Sequence, residues 1–269
     1  MTTSYGQNYL AIPGPSVIPD EVLRSMHRAA PNIYEGELIE ITESLIQDLN
    51  YVARSSGKVA MYIANGHGIW EAALSNMVSK GDYILVIATG RFAYGWAEIA
   101  KRMEIKIDIV DFGKNTALDV ETVSEKLLSE PKNKYKAILL TQVDTSTSVK
   151  NDIASLRKKL TEIECLSLLA VDCIASLACD RFEMDKWGVD IMVAACQKGL
   201  MVPPGMGFVF FNHRAEERQR ELKNVSLYWD WEPRVNPSRY YEYFCGTAPT
   251  HHIYGLRTAL DMIKNEEIE

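Results

Sequence analysis

The segment VDIMVAACQKGLMVPPGMGFVFF, residues 189–211, holds two short apolar runs, VDIMVAA and MGFVFF, with Lys198 and a Pro-Pro-Gly turn between them. Runs of this length, rich in β-branched and aromatic residues and bounded by Gly and Pro, read as β-strands. They follow one another too closely for a helical crossover, so part of the sheet is expected to be antiparallel. An interior lysine is costly because desolvation disfavours the ammonium form. Lys198 therefore either reaches solvent as a turn lysine or does chemistry with a lowered pKa.

Five further runs precede this pair: VAMYIA, DYILVIA, IKIDIVDF, YKAILLT and LSLLAVD. Most alternate with stretches of helical periodicity, which is the pattern of a mainly parallel sheet sandwiched by helices, because parallel neighbours need crossovers. The fold class is α/β. Helices are also expected in DEVLRSMHRAA and GELIEITESLIQDLNYVARSS before the first strand, and in RAEERQRELKN and HHIYGLRTALDMIKNEE after the last. Between those last two lies an aromatic loop, SLYWDWEPRVNPSRYYEYFCGTAPT.

Composition narrows the function classes. With 47% hydrophobic and 24% charged residues over 269 positions, the chain can bury a sizeable core. A formal net charge of -7 without a basic block argues against nucleic acid and anionic membranes as partners. The five cysteines follow no metal-ligand or disulfide spacing, and no metal site is expected. No signal-like amino terminus or membrane-length apolar run is visible, so a cytoplasmic enzyme acting on small molecules is expected.

In open α/β sheets ligands gather at the carboxyl ends of the strands. Five segments fall there. In NGHG (65–68), Gly66, His67 and Gly68 stand between a strand and a helix start, which is either a tight turn or a cradle of N–H groups for a phosphate. TGRFAYGW carries Phe92, a core residue or a platform for a flat ring. TQVDTSTS offers Asp144, Thr145, Ser146 and Thr147, which either close a loop or bond a ring substituent. Asp172 ends an apolar run in VDCIAS, as a cap or as the partner of a heterocyclic nitrogen, and Lys198 follows in CQKG.

In their order and spacing these motifs resemble the class V, fold-type-I pyridoxal-phosphate aminotransferases, in particular the alanine–glyoxylate and serine–glyoxylate (serine–pyruvate) group. PGPSVIPDEVLRSM resembles that family's amino-terminal arm, NGHGIWEAAL its phosphate turn, GRFAYGW its ring-stacking loop, VDCIASL its pyridine-nitrogen Asp and CQKGLMVPPGMGF its Schiff-base lysine segment. The resemblance implies a pyridoxal 5'-phosphate cofactor attached at Lys198, with Asp172 on the ring nitrogen. Phe92 and Ile174 would lie on its two faces, Ser146 or Thr145 would face ring or substrate, and Gly66, His67, Gly68 and Gln197 would lie at the phosphate. It further implies transamination between a small amino acid, alanine or serine, and a 2-oxo acid such as glyoxylate or pyruvate. The implied assembly is a homodimer, with Thr247 completing the partner's phosphate site and Trp229, Trp231 and Tyr240 as interface anchors.

On that resemblance residues 1–20 form an arm and 21–250 the cofactor-binding large domain. Residues 251–269 would start a helix leading to a small domain largely absent from this chain, together with the arginine that clamps the substrate carboxylate; Arg91, Arg239 and Arg257 are expected to be surface or structural. The sequence departs from the pattern at Ile12, where the arm usually has glycine, and at Phe244, where a tyrosine is frequent. Two rivals follow. A class V lyase or cysteine desulfurase would have His in place of Gln197 and Phe92, and a truncated, non-catalytic cofactor-binding chain would explain the missing clamp.

Overall fold

The computed structural model describes residues 10–266. The first nine residues of the expected arm and the last three of the chain lie outside it. In chain order the elements are α1 (Asp20–Met26), α2 (Glu37–Ala53), β1 (Lys58–Tyr62), α3 (Gly66–Met77), β2 (Tyr83–Ala88), α4 (Arg91–Arg102), β3 (Lys106–Asp111), α5 (Val120–Leu128) and β4 (Tyr135–Thr141). There follow α6 (Ile153–Glu162), β5 (Leu168–Asp172), β6 (Ile191–Ala195), β7 (Gly207–Phe211), α7 (His213–Glu221), α8 (Glu232–Val235), a 3-10 turn (Tyr240–Phe244) and α9 (Thr250–Asn265).

The strands form one sheet in the order β1-β7-β6-β5-β4-β2-β3. From β3 to β6 neighbours are parallel, and β7 runs antiparallel to both β6 and β1. The short connection around Lys198 thus makes the expected antiparallel pair. One crossover departs from the pattern: β5 and β6 are parallel neighbours, yet residues 173–190 join them by turns alone. Phe182 and Trp187 pack edge to face in that connection, with ring centroids 5.3 Å apart, and fill the space under it.

Both faces of the sheet are covered, so its central strands read as continuous apolar runs. On β5, Leu169 and Val171 enter one core while Leu168 and Ala170 enter the other, and β2, β4, β6 and β7 divide in the same way. The first core is closed by α1, α2, α5, α6 and α9, the second mainly by α3 and α4 with Ala215 of α7. The last helix belongs to the first core: α9 packs on α1 and α2, buries Ile253, Leu256, Ala259 and Leu260, and is tied to α2 by Arg257 on Asp48 and Ser44. Arg257 is structural, as expected, and Arg91 and Arg239 are exposed.

The aromatic loop is fastened to its own chain. Trp231 is buried and stacks on Phe211 at 4.0 Å, the Trp229 indole donates to Glu71 Oε1, and the Tyr240 hydroxyl bonds Thr42 Oγ1 at 2.9 Å. Trp231 is thus buried within the chain, while Trp229 and Tyr240, though bonded within it, stay partly exposed. A buried Arg234 secures the segment by donating to the carbonyls of Met61, Tyr228 and Tyr243 while lying over the Tyr62 ring at 4.2 Å. Phe244 is buried beside Tyr240 and Tyr243.

Candidate active site

Strand alternation aims Asp172. It has the parity of Leu168 and Ala170, so its side chain leaves the end of β5 on the α3 face of the sheet. There it is 4% exposed. The Ile174 N–H donates to Oδ1 at 2.7 Å and the Trp70 Nε1–H donates to Oδ2 at 2.9 Å. Burial pushes its pKa up to about 7, although both hydrogen bonds and Lys198 favour the ionised form; Asp144 nearby raises it further.

Lys198 comes from the turn after β6, the strand next to β5. Its side chain is half-buried, and its Nζ donates to the Pro13 carbonyl at 2.6 Å. The arm is held there by the Ser16 N–H on the Gln197 carbonyl at 2.9 Å. Gly14, at φ +140°, lies against the lysine side chain with no room for a Cβ. Desolvation holds the Lys198 pKa below its ordinary value, opposed by Asp172 and Cys179. A depressed pKa increases the share of neutral, nucleophilic amine.

Two helix starts complete the arrangement. Asn65 caps α3 by accepting from the N–H groups of His67 and Gly68 at 3.1 and 3.3 Å. At Gly66 a Cβ would lie 2.6 Å from Ile174 Cδ1, so a side chain there would displace the tip of Ile174. At α4, the buried Asp144 carboxylate accepts from the Phe92 N–H at 2.9 Å and from Ser146 N–H and Oγ at 2.9 and 2.6 Å. It therefore closes the loop and anchors Phe92.

These elements enclose a cavity of about 300 Å³, lined among others by Asn65, Gly66, His67, Trp70, Phe92, Thr145, Asp172, Ile174, Gln197 and Lys198. Of the residues singled out in the sequence, Gly66, His67, Phe92, Asp172, Ile174, Gln197 and Lys198 are thus brought together. Thr145 lines the cavity and Ser146 does not, its hydroxyl being committed to Asp144. Gly68 packs toward Ala64 and Trp229, and Thr247 is exposed and outside this cavity. A second cavity of about 600 Å³, bounded by the arm, Cys179, Met201 and Ile263, shares Gly14, Ala175 and Lys198 with the first. Lys198 stands between the two.

Sequence reasoning missed Trp70 and Pro13. Trp70 lies in the quoted phosphate-turn motif, but its bond to Asp172 joins residues 102 positions apart, which no local pattern reveals. Pro13 acts through its carbonyl, which carries no side-chain signal. No helix among the described residues is long and apolar enough to cross a membrane.

The Aminotransferase class-V family matches residues 20–269. The chain is 31% identical over 265 residues to a serine–glyoxylate aminotransferase of Arabidopsis thaliana, covering 98% of this chain and 66% of that protein. It is 32% identical over 272 residues to a serine–glyoxylate aminotransferase of Methylorubrum extorquens, covering 98% of this chain and 67% of that protein. Among solved structures, an aspartate aminotransferase of subgroup IV from Thermus thermophilus superposes with a TM-score of 0.85 at 25% identity, covering 95% of this chain and 70% of that one. The chain thus spans about two thirds of the length of these curated relatives. With the family matched from α1 onward and the sheet superposing on a fold-type-I aminotransferase, the chain belongs to the class-V aminotransferases.

Proposed function

We propose that this chain binds pyridoxal 5'-phosphate and serves a transaminase that moves the amino group of a small amino acid, alanine or serine, to glyoxylate or a similar 2-oxo acid. The observation that carries this reading is the meeting of Asp172 and Lys198 in one cavity, beside an aromatic ring and a helix start. The relatives' names supply glyoxylate as the acceptor.

The cavity fits the cofactor in three respects. Asp172 is a buried carboxylate whose two oxygens each have one donor among the described residues, so it can accept a further bond from a cationic ring nitrogen. Gln197 Oε1 is buried in the cavity wall without a partner among the described residues. The start of α3 lines the cavity at Gly66 and His67, where the helix dipole favours a phosphate, although Asn65 Oδ1 already takes the His67 and Gly68 N–H groups. When bound, the cofactor supplies an electron sink for negative charge at the substrate Cα and carries the amino group between half-reactions.

The protein's part follows from its own groups. Asp172 would hold a proton on the ring nitrogen. Phe92 and Ile174 would pack on the ring, and Gly66, His67 and Gln197 would lie at the phosphate. Lys198 would carry the cofactor and, once displaced by the incoming amine, take the proton from the substrate Cα. Thr247, exposed and not among the residues lining its own cavity, would reach the phosphate site of a second copy in a C2 homodimer. The desulfurase alternative is disfavoured by Gln197 and Phe92, where that branch resembles a His-bearing pattern.

An isotope transfer tests the reading. Chain reconstituted with pyridoxal phosphate and given 15N-alanine or 15N-serine with glyoxylate should yield 15N-glycine, and Lys198→Ala should abolish transfer. Tight cofactor binding without transfer from any donor would favour the non-catalytic reading instead.

A further inference from the structure

The Asp172 carboxylate is set by two elements. Its Oδ1 takes the N–H of Ile174, two residues on, a local bond that the turn after β5 fixes. Its Oδ2 takes the indole N–H of Trp70, which stands on α3, a different layer. Among the described residues no other side chain donates to this carboxylate.

The indole is itself immobilised. Trp70 is 1% exposed, and its ring lies near parallel to Trp96, with centroids 6.2 Å apart and planes 15° apart. His67 contacts it at 4.6 Å, and Gly95 lets it pass where a Cβ would come within 3.0 Å of the ring. The Trp96 Nε1–H also donates to the Trp70 carbonyl at 3.2 Å. Phe92 meets the same ring edge to face at 6.0 Å. A rigid bicyclic donor therefore touches both the carboxylate and the aromatic platform of the cavity.

We propose that Trp70 is a positioning residue: its N–H fixes the rotation of the Asp172 carboxylate so that the remaining acceptor sites face the cavity, and its ring sets the Phe92 ring relative to that carboxylate. The two groups suited to a planar cationic heterocycle are thus held in register by one side chain. The identity of that heterocycle as pyridoxal phosphate rests on the function proposed above; the setting of the carboxylate does not. A charge-assisted hydrogen bond to a buried oxygen also favours the ionised carboxylate, the form that attracts a cation. The charged groups acting on Asp172 are Asp144, from the loop after β4, which opposes ionisation, and Lys198, from the turn after β6, which supports it. Cys173 adjoins it on its own segment, and α3 presents the Trp70 indole and His67.

Trp70→Phe keeps an aromatic ring and deletes the donor. In ligand-free protein labelled with 13C at the aspartate carboxyl carbons, the Asp172 titration midpoint should move upward in Trp70→Phe. An unchanged midpoint would overturn the proposal. Pyridoxal phosphate should bind Trp70→Phe roughly tenfold or more weaker, the loss expected for a hydrogen bond to a charged group. In an Asp172→Asn background the same change should cost clearly less, leaving only the part due to altered packing on Phe92, because the donated bond acts through the carboxylate. An equal loss in both backgrounds would show that Trp70 only shapes the cavity and would contradict the proposal. If the unaltered chain fails to bind pyridoxal phosphate, the proposed function falls while the ligand-free titration still decides the role of Trp70. Should Trp70→Phe not fold, 3-benzothienylalanine at position 70 preserves the bicyclic shape without the N–H and carries both measurements.

Discussion

At Asp172 a carboxylate ordinarily titrating at 3.8 is pushed up to about 7 by burial. In the ligand-free chain the folded state thus keeps a proton that the unfolded state has released between about pH 4 and pH 7. Stability contributed by this group is present below its ordinary pKa and falls as pH rises toward 7. Denaturant titrations should show this loss, on the order of a few kcal/mol. Asp172→Asn should flatten it and be more stable than the parent at neutral pH without cofactor, while slowing transamination by orders of magnitude. A pH-independent stability of the parent over that window would remove the argument for a buried, cavity-facing carboxylate. In the sequence Asp172 was visible as a polar residue closing an apolar run. Its donor Trp70 was not, because a tryptophan four residues into an amphipathic helix reads first as core.

Helix starts position the rest of the site. The α4 start depends on Gly90, which is extended at φ 169° and so carries no strain, but whose missing Cβ makes room for the Asp144 carboxyl. Gly90→Ala should push that carboxyl off the Phe92 N–H. The expected cost is about 1–3 kcal/mol in unfolding free energy, with weaker cofactor binding as Phe92 shifts. Urea unfolding and a binding titration measure both; an unchanged midpoint and affinity would mean that the loop after β4 yields freely. At this scale the sequence was most legible. Each of the seven apolar runs became a strand, and the close spacing around Lys198 marked the antiparallel β7. The helix-free crossing from β5 to β6 was not legible, since it rests on the contact of Phe182 with Trp187 rather than on any periodicity. The choice between Ser146 and Thr145, open in the sequence, was not legible for a similar reason: only the fold shows that Asp144 takes the Ser146 hydroxyl while Thr145 lines the cavity.

For the whole molecule, the sheet delivers β5 and β6 side by side, so that Asp172 and Lys198, 26 positions apart, open into one cavity at the carboxyl edge. Among the described residues no arginine lines it. On the proposed function, assembly would bear on the site through Thr247. Light scattering should give a dimer, and Thr247→Ala should weaken cofactor binding several-fold without dissociating it; a monomer holding the cofactor tightly would contradict a shared phosphate site. The most direct test of the central claim is attachment. After incubation with pyridoxal phosphate and reduction with borohydride, peptide mapping should find the cofactor covalently fixed on the peptide containing Lys198, and only there. Labelling at another lysine, or none at Lys198, would contradict the account.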